Sequence, residues 1–451
     1  MQEKLEIRGE GRIRGIAPQL TNFVAIQILL TLVCAISEDF CTAVLHLGAP
    51  FDSPFKAQFE TCLDFTNYRD TCKYFHSPEF FGYGFHYLYP PALAPMYRIF
   101  YSYKEHPLGF FLCFILVVCL VSGVLLGWAL RKRGMPSAAA AFFIAGSLLL
   151  AYTLWFELKQ ANIEICVWVF VAFGVWAFCK GKGYTSAACF GIAGSMKIFP
   201  FVYFGLLLAK RRYRPIAFGA LIAAVTTLVS LWLAGGRHIR SNWHQVESRI
   251  AEFRMIFILH FRPTEIGFDH SLFALYKRFS PNLPPPEILA HTLTVYLAVV
   301  ALSGIVLYFL RIRRLPVINQ VLCLCIASIL LPPLSYEYTL IDLYVPFSLL
   351  ALLAQERWTS QRKTPGIGAA LICLAILLSP LSEFIYHSER FGGQIKSLVL
   401  VALMVIGLKY PFASAEIPET SPRIVAWNPV TGKEDGIESV LNYESIAAKL
   451  S

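Results

Sequence analysis

Long apolar runs separated by short basic clusters set the rhythm of this chain, and the runs 107–130 and 216–236 contain no charged side chain. A helix needs about 20 such residues to cross roughly 30 Å of hydrocarbon. The runs are continuously apolar rather than alternating, which excludes a closed barrel and predicts a helical bundle. Basic clusters orient the spans, because Lys and Arg gather on the cytoplasmic side. Residues 1–19 carry four basic side chains, so the first span, 20–36, leads outward, and 107–130 returns to Arg131, Lys132 and Arg133. The run 22–37 ends Ala35-Ile36-Ser37 as a secretory signal does, and is read as an uncleaved first span. The run 136–156 leads out again, and 162–179 comes back to Lys180 and Lys182.

The next apolar segment, 184–209, has basic residues at both ends and carries Lys197 and Pro200 in its middle. A single crossing does not fit that pattern. Two short helices meeting at a break inside the membrane do, with Lys197 at the break, an arrangement tolerated where it lines a protein cavity. Further spans follow at 216–235, 288–310, 316–334, 338–354, 366–381 and 395–408. The expectation is an all-α polytopic membrane protein of about ten full spans plus a broken re-entrant hairpin. Residues 1–408 form the membrane domain, with large external loops at 37–106 and 236–287, and 409–451 form a polar, poorly ordered cytoplasmic tail.

Composition agrees: of 451 residues, 56% are hydrophobic and 15% charged, and the mean hydropathy is +0.57, which excludes a soluble globular chain. The formal net charge of +10 lies mostly in the clusters between spans, so it is membrane anchoring rather than a nucleic-acid surface. The exception is the external loop 236–287, made basic by Arg237, Arg240, Arg249, Arg254, Arg262, Lys277 and Arg278. That loop asks for an anionic partner, either lipid head groups or a phosphate-bearing substrate. Of the twelve cysteines, Cys113, Cys119, Cys166, Cys189, Cys323, Cys325 and Cys373 lie in apolar runs, and no metal-ligand spacing appears. Cys41, Cys62 and Cys72 share one external loop, so Cys41 is expected to pair with Cys62 or Cys72.

One stretch, 61–95, looks built for chemistry. If it is helical, Asp64, Asn67, Tyr68 and Thr71 share a face. Downstream come Phe80, Phe81, Tyr83, Phe85, Tyr87 and Tyr89, and then Pro90-Pro91, which stop any helix. Aromatic rings beside a carboxylate suit a sugar or an isoprenoid. Each feature also has a plainer reading: a loop acid at Asp64, a lipid-interface belt for the aromatics, a snorkelling Lys197, a loop histidine at His270, and a helix cap at Glu337 and Tyr338.

The order of these pieces resembles glycosyltransferase family 87, the polyprenol-phosphate-mannose-dependent enzymes of the GT-C superfamily. Four matches carry the resemblance: Asp64-Phe65 with Tyr68 and then Tyr89-Pro90-Pro91; Lys159-Gln160-Ala161-Asn162; the small-residue helix ending Lys197-Ile198-Phe199-Pro200; and Asp269-His270-Ser271-Leu272. The resemblance covers most of the chain from Asp64 to about Pro346. Lys159 stands where the family has Gly, Asp269-His270 where it has Asn-Gln, and Tyr338 where it has His. The resemblance implies a GT-C-like bundle that moves a hexose, mannose in the family, from a polyprenyl-phosphate donor to a lipid or glycan acceptor. The resemblance further implies that transfer inverts configuration, on the external face of a bacterial cytoplasmic membrane. It implies Asp64 as base, with Glu38 and Asp39 as rivals, and Tyr68, Arg69, His86, Tyr89, Gln160, Asn162, Lys197, His270, Ser271, Glu337 and Tyr338 around the substrates. No metal or cofactor is expected beyond the donor itself, and the partners are the two substrates and membrane lipids.

Residue chemistry points the same way. An inverting glycosidase needs a second carboxyl to protonate its leaving group. A polyprenyl phosphate leaves as a stable anion, so one carboxylate base and nearby cations suffice. A transporter or flippase for a lipid-linked or anionic substrate is the alternative, since it too uses broken helices and intramembrane charges.

Overall fold

The computed structural model describes residues 15–44, 62–82, 89–103, 105–260, 266–280, 284–386 and 389–413. Helices dominate. The first long one, α1 (Pro18–Ala43), opens on Pro18, whose missing N–H costs nothing at a helix start. Two short pieces, α2 (Leu63–Asn67) and α3 (Ala94–Tyr101), precede α4 (Pro107–Lys132). Then come α5 (Ser137–Leu149), α6 (Tyr152–Gln160), α7 (Glu164–Cys179), α8 (Gly183–Met196) and α9 (Phe204–Ala209). The second half holds α10 (Tyr213–Gly235), α11 (Ile239–Phe253), α12 (Leu272–Phe279), α13 (Pro286–Leu310) and α14 (Val317–Leu330). It closes with α15 (Tyr344–Thr359), α16 (Ile367–Leu377) and α17 (Gly392–Lys409). A two-residue ribbon, Ile385–Tyr386 against Glu389–Arg390, is the exception among the described residues.

Among the described residues, six helices are long and apolar enough to cross a membrane, or seven if the pair α5 and α6, bent by 50°, counts as one. The chain is an integral membrane protein on that ground. Leu120 on α4 and Leu302 on α13 stay 65% and 66% exposed, which suits hydrocarbon as solvent and not water. In contrast α14 is buried on nearly every side, so its continuous apolar run is core.

The expected ten full spans are not all seen. The predicted span 162–179 becomes the 16-residue α7, 316–334 the 14-residue α14, and 366–381 the 11-residue α16. Each is cut short by local chemistry: α7 waits for the cap made by Asn162, α14 stops ahead of Pro332-Pro333, and α16 ends before Pro380. The expected break is present, since α8 stops at Met196, Lys197 is extended, and a 3₁₀ turn, Phe199–Tyr203, leads into α9. The segment 236–287, expected as an external loop, is structured over its described residues, with the amphipathic α11 and then α12, whose first turn is capped by the Ser271 hydroxyl accepting from Ala274 N at 3.0 Å.

The disulfide expectation is corrected, because Cys41, Cys62 and Cys72 are all free. Cys62 is buried with its thiol turned to the Leu158 carbonyl at 3.8 Å, and burial pushes the Cys72 thiol up to about 12. The tail beyond residue 413 lies outside the described residues.

Small residues let α8 lie close against α10. A Cβ on Gly191 would sit 2.3 Å from the Gly219 carbonyl oxygen, and one on Gly219 would sit 2.5 Å from that of Ala187. Close backbone approach of this kind is how helices associate when lipid removes the hydrophobic incentive. Since α8 carries Lys197 at its end, this contact also sets the depth of that charge. Gly191→Val should therefore cost about 1–3 kcal/mol through overpacking, read as a lower melting temperature in detergent; unchanged melting would show that the two helices can separate freely.

Candidate functional site

The break after α8 faces the start of α7, and the two are joined by charge. The Lys197 ammonium pairs with the Glu164 carboxylate, whose side chain is 4% exposed. Rings flank the same ammonium, with centroids at 4.9 Å for Tyr338 and 5.5 Å for Tyr89, a placement that favours a cation. Ahead of Glu164 sits Asn162, fully buried, after a left-handed turn at Ala161 (φ 50°). The Asn162 carbonyl oxygen accepts from Glu164 N at 2.9 Å and so starts α7. Its amide nitrogen donates to Asp64 Oδ2 at 2.7 Å and to the Tyr89 hydroxyl at 3.0 Å. One asparagine thus spends its donors on the base candidate and the Tyr-Pro-Pro tyrosine.

Asp64 lies in the first turn of α2, which begins from a left-handed Cys62 (φ 39°) and stops at Asn67. Its neighbour Phe65 stacks on Phe111, in the first turns of α4, with centroids 4.9 Å apart. Burial pushes the Asp64 carboxyl above the ordinary carboxylate range, against the opposing pull of the Asn162 amide and the Lys197 ammonium. Tyr68 packs between Tyr89 and Tyr97, at 5.4 and 4.7 Å. Burial likewise holds the Tyr89 phenol well above its usual value, so it stays protonated.

The expected polar stripe does not form as one face. Because α2 ends at Asn67 and residues 71–74 make a 3₁₀ turn, Thr71 is buried while Asn67 is exposed. Arg69 is exposed on the turn after α2, and Gln160 ends α6, half-buried. His86 lies outside the described residues, as do the side chains of Glu38 and Asp39 near the end of α1. Asp64, Tyr68, Tyr89, Asn162, Lys197 and Tyr338 are the expected residues that come together.

Three acids went unread in the sequence. Glu164 holds Lys197; Glu157 accepts from Ile165 N at 3.3 Å; and Asp342 lies, like Glu157, within Coulombic range of Lys197 and Glu164. Their signal was present, since a carboxylate inside an apolar run rarely lacks a role. Among the described residues, no group of three or more His, Cys, Asp or Glu is arranged to hold a metal ion.

His270, Ser271 and Glu337 gather elsewhere. Glu337 receives His270 Nε2 at 2.8 Å and Lys396 Nζ at 2.5 Å, together with the Ser382 hydroxyl, and Glu337, His270 and Lys396 are all fully buried. Asp269 Oδ1 accepts from the backbone of Ser271 and Ser335, each at 2.9 Å, and His270 N donates to the Ser335 carbonyl at 2.7 Å. This polar joint fastens the segment 269–271 to α17 and to the turn Glu337–Leu343. Tyr338, one residue on, reaches the Lys197 side, so the joint fixes one wall of the site.

Membrane-length helices thus bring the half-buried carboxylate of Asp64 within Coulombic range of a lysine at a helix break. The family model for glycosyltransferase family 87 matches residues 87–333. That is more than half of the chain, and the chain belongs to this family of membrane glycosyltransferases. No curated protein and no solved structure matches it. The match is narrower than the motif order implied: Asp64, Tyr68, Arg69 and His86 precede it, and Glu337 and Tyr338 follow it. The hydrogen bonds of Asn162, inside the matched region, are what tie Asp64 to it.

Glu337→Gln should destabilise the fold by about 3–5 kcal/mol, because it leaves the buried Lys396 without its counter-charge. Adding Lys396→Met should recover part of the loss. Melting of the single and double variants checks this, and equal melting of Glu337→Gln and the unchanged protein would exclude a load on that joint.

Proposed function

We propose that this protein moves a hexose, mannose by family resemblance, from a polyprenyl-phosphate donor to a lipid or glycan acceptor, inverting configuration, with Asp64 as base. The observation that carries the reading is the meeting of Asp64, Asn162, Tyr89 and the Lys197–Glu164 pair at one helix break. Asp64 takes the proton of the acceptor hydroxyl as that oxygen bonds to the anomeric carbon. The bond from that carbon to the phosphate oxygen breaks on the opposite face. The polyprenyl phosphate then leaves as an anion and needs no acid.

Lys197 is the cation for the phosphate. Its cost at membrane depth is already met by Glu164, so that cost alone does not call for a substrate. What supports binding is its partial exposure, 15% for the side chain, and the N–H donors an ammonium keeps beyond one acceptor. Charge growing on a departing phosphate gains most from such a preplaced donor. The external face is supported by position: Asp64 packs by the first turns of α4 and Asn162 caps the start of α7, while the basic clusters lie at the other ends of both helices.

Asp64→Asn tests the base. Transfer should fall by about 10²–10⁴-fold with donor binding retained. Because burial raises the Asp64 pKa, the folded chain binds that proton more tightly than the unfolded chain does. Its contribution to stability is full at low pH and is lost as pH rises through the raised value. The amide removes that loss, so melting at neutral pH should be unchanged or higher. Normal turnover in this variant, with Asp39→Asn inactive, would move the base to the end of α1.

The pH profile gives a second test. Asn162→Ala removes a hydrogen bond that favours the ionised carboxylate, so the Asp64 pKa rises further. The acid limb of the rate profile should shift to higher pH, and an unshifted limb would separate Asp64 from the titrating base.

A further inference from the structure

The turn that joins α4 to α5 forms an open groove at the end of the bundle where the basic clusters lie. Trp128, Arg131 and Lys132 of α4 line one side, and Gly134, Pro136 and Ser137 the other. Arg131, Lys132, Pro136 and Ser137 are exposed, as is the Trp128 ring, with the Lys132 ammonium 3.7 Å from its centroid. Among the described residues that line the groove, none is acidic. It is a basic surface with one large apolar ring, and an acidic segment carrying an apolar side chain would complement it.

The last described residues end beside this groove. Phe412 is fully buried, its N–H donates to Asn319 Oδ1 at 2.6 Å, and the Ala413 carbonyl accepts from Arg357 Nη2 at 2.6 Å. Arg357 lies in the last turn of α15, and Thr359, two residues on, touches the α4–α5 turn: a Cβ on Gly134 would sit 3.2 Å from Thr359 Cγ2. The chain beyond Ala413 therefore starts from a fixed point next to the groove. Three to six residues of extended chain cover about 10–20 Å, which brings Glu416, Ile417, Pro418 and Glu419 within reach. No Lys or Arg occurs between 410 and 422. A residue before proline favours extended backbone, and in a left-handed extended course residues three apart return to one side, about 9 Å from each other. That course would present Glu416 and Glu419 together, with Ile417 and Pro418 between them.

We propose that residues 416–419 dock in the groove at the α4–α5 turn, with the two acids on Arg131 and Lys132 and the Ile-Pro pair against Trp128. An exposed ion pair contributes little by itself, so the docking depends on both acids, the cover of the ring and the tether together. The tether is what favours this segment over a free partner, because a short linker from Ala413 holds it at an effective concentration on the order of millimolar. The contact would join the end of α15 to the α4–α5 turn through the chain that follows α17.

Disulfide trapping tests the docking. The full chain carrying Ser137→Cys and Thr420→Cys would be oxidised with copper phenanthroline in detergent, and the linked peptides mapped by mass. A second pair, Lys363→Cys with Thr420→Cys, measures chance encounters, since Lys363 follows Arg362, whose N–H donates to the Arg357 carbonyl at 2.9 Å, and so lies near the same exit point. The link between positions 137 and 420 should form about tenfold faster than that between 363 and 420. Arg131→Glu with Lys132→Glu, or Glu416→Lys with Glu419→Lys, should each remove the excess, and all four changes together should restore it. Equal rates for the two pairs, or an excess that survives charge reversal on either side, overturn the proposal. Links found only between chains would give the groove to a second copy. Loss of the excess on adding phosphatidylglycerol, but not phosphatidylcholine, would give it to lipid head groups, and either result overturns the proposal too.

Discussion

A charge placed inside hydrocarbon must be paired, and the pairing of Lys197 with Glu164 is the contact on which the site depends. A single basic side chain at the centre of a span costs about 2.5–3.5 kcal/mol on insertion scales. Glu164 offsets it, but only if α7 begins where Glu164 can reach the break after α8. Asn162 enforces that start through its bond to Glu164 N, and with the same side chain it grips Asp64 and Tyr89. The position of Asp64 is therefore a consequence of how the lysine is neutralised.

Two polar centres divide the work within the bundle. Around Glu337 both carboxylate oxygens are engaged and fully buried, with His270, Lys396 and Ser382 supplying the partners. Such a buried network rigidifies the fold. Around Lys197 the balance differs, with Asp64, Glu157, Glu164 and Asp342 near one ammonium and with part of that ammonium exposed. An arrangement of that kind is costly for stability and useful for chemistry, the usual relation at active sites. Tyr338, attached in sequence to Glu337, transmits the rigidity of the first centre to the second.

The helices that fail to span are as informative as those that do. Breaks at Leu150–Ala151 and at Lys197, and the short α7 and α14, place helix ends within the bundle. Helix ends are where backbone and side-chain polar groups can converge.

The sequence alone determined the membrane class, the helical bundle, the break at Lys197 and the motif order of the family, because each is written in local chemistry: run length, basic clusters, proline and glycine. Of the residues it marked as site candidates, the fold brings Asp64, Tyr68, Tyr89, Asn162, Lys197 and Tyr338 together. Tertiary structure alone decided that Glu164 neutralises Lys197, that His270 and Glu337 belong to a separate buried joint with Lys396, and that Cys41 stays unpaired. It also decided which apolar runs were spans and which were core, as α14 shows. The physical reason is common to all of these. Hydropathy and spacing report what a residue needs, whether lipid, a partner or a turn, whereas the identity of the partner depends on which distant segments the packing brings within hydrogen-bonding distance.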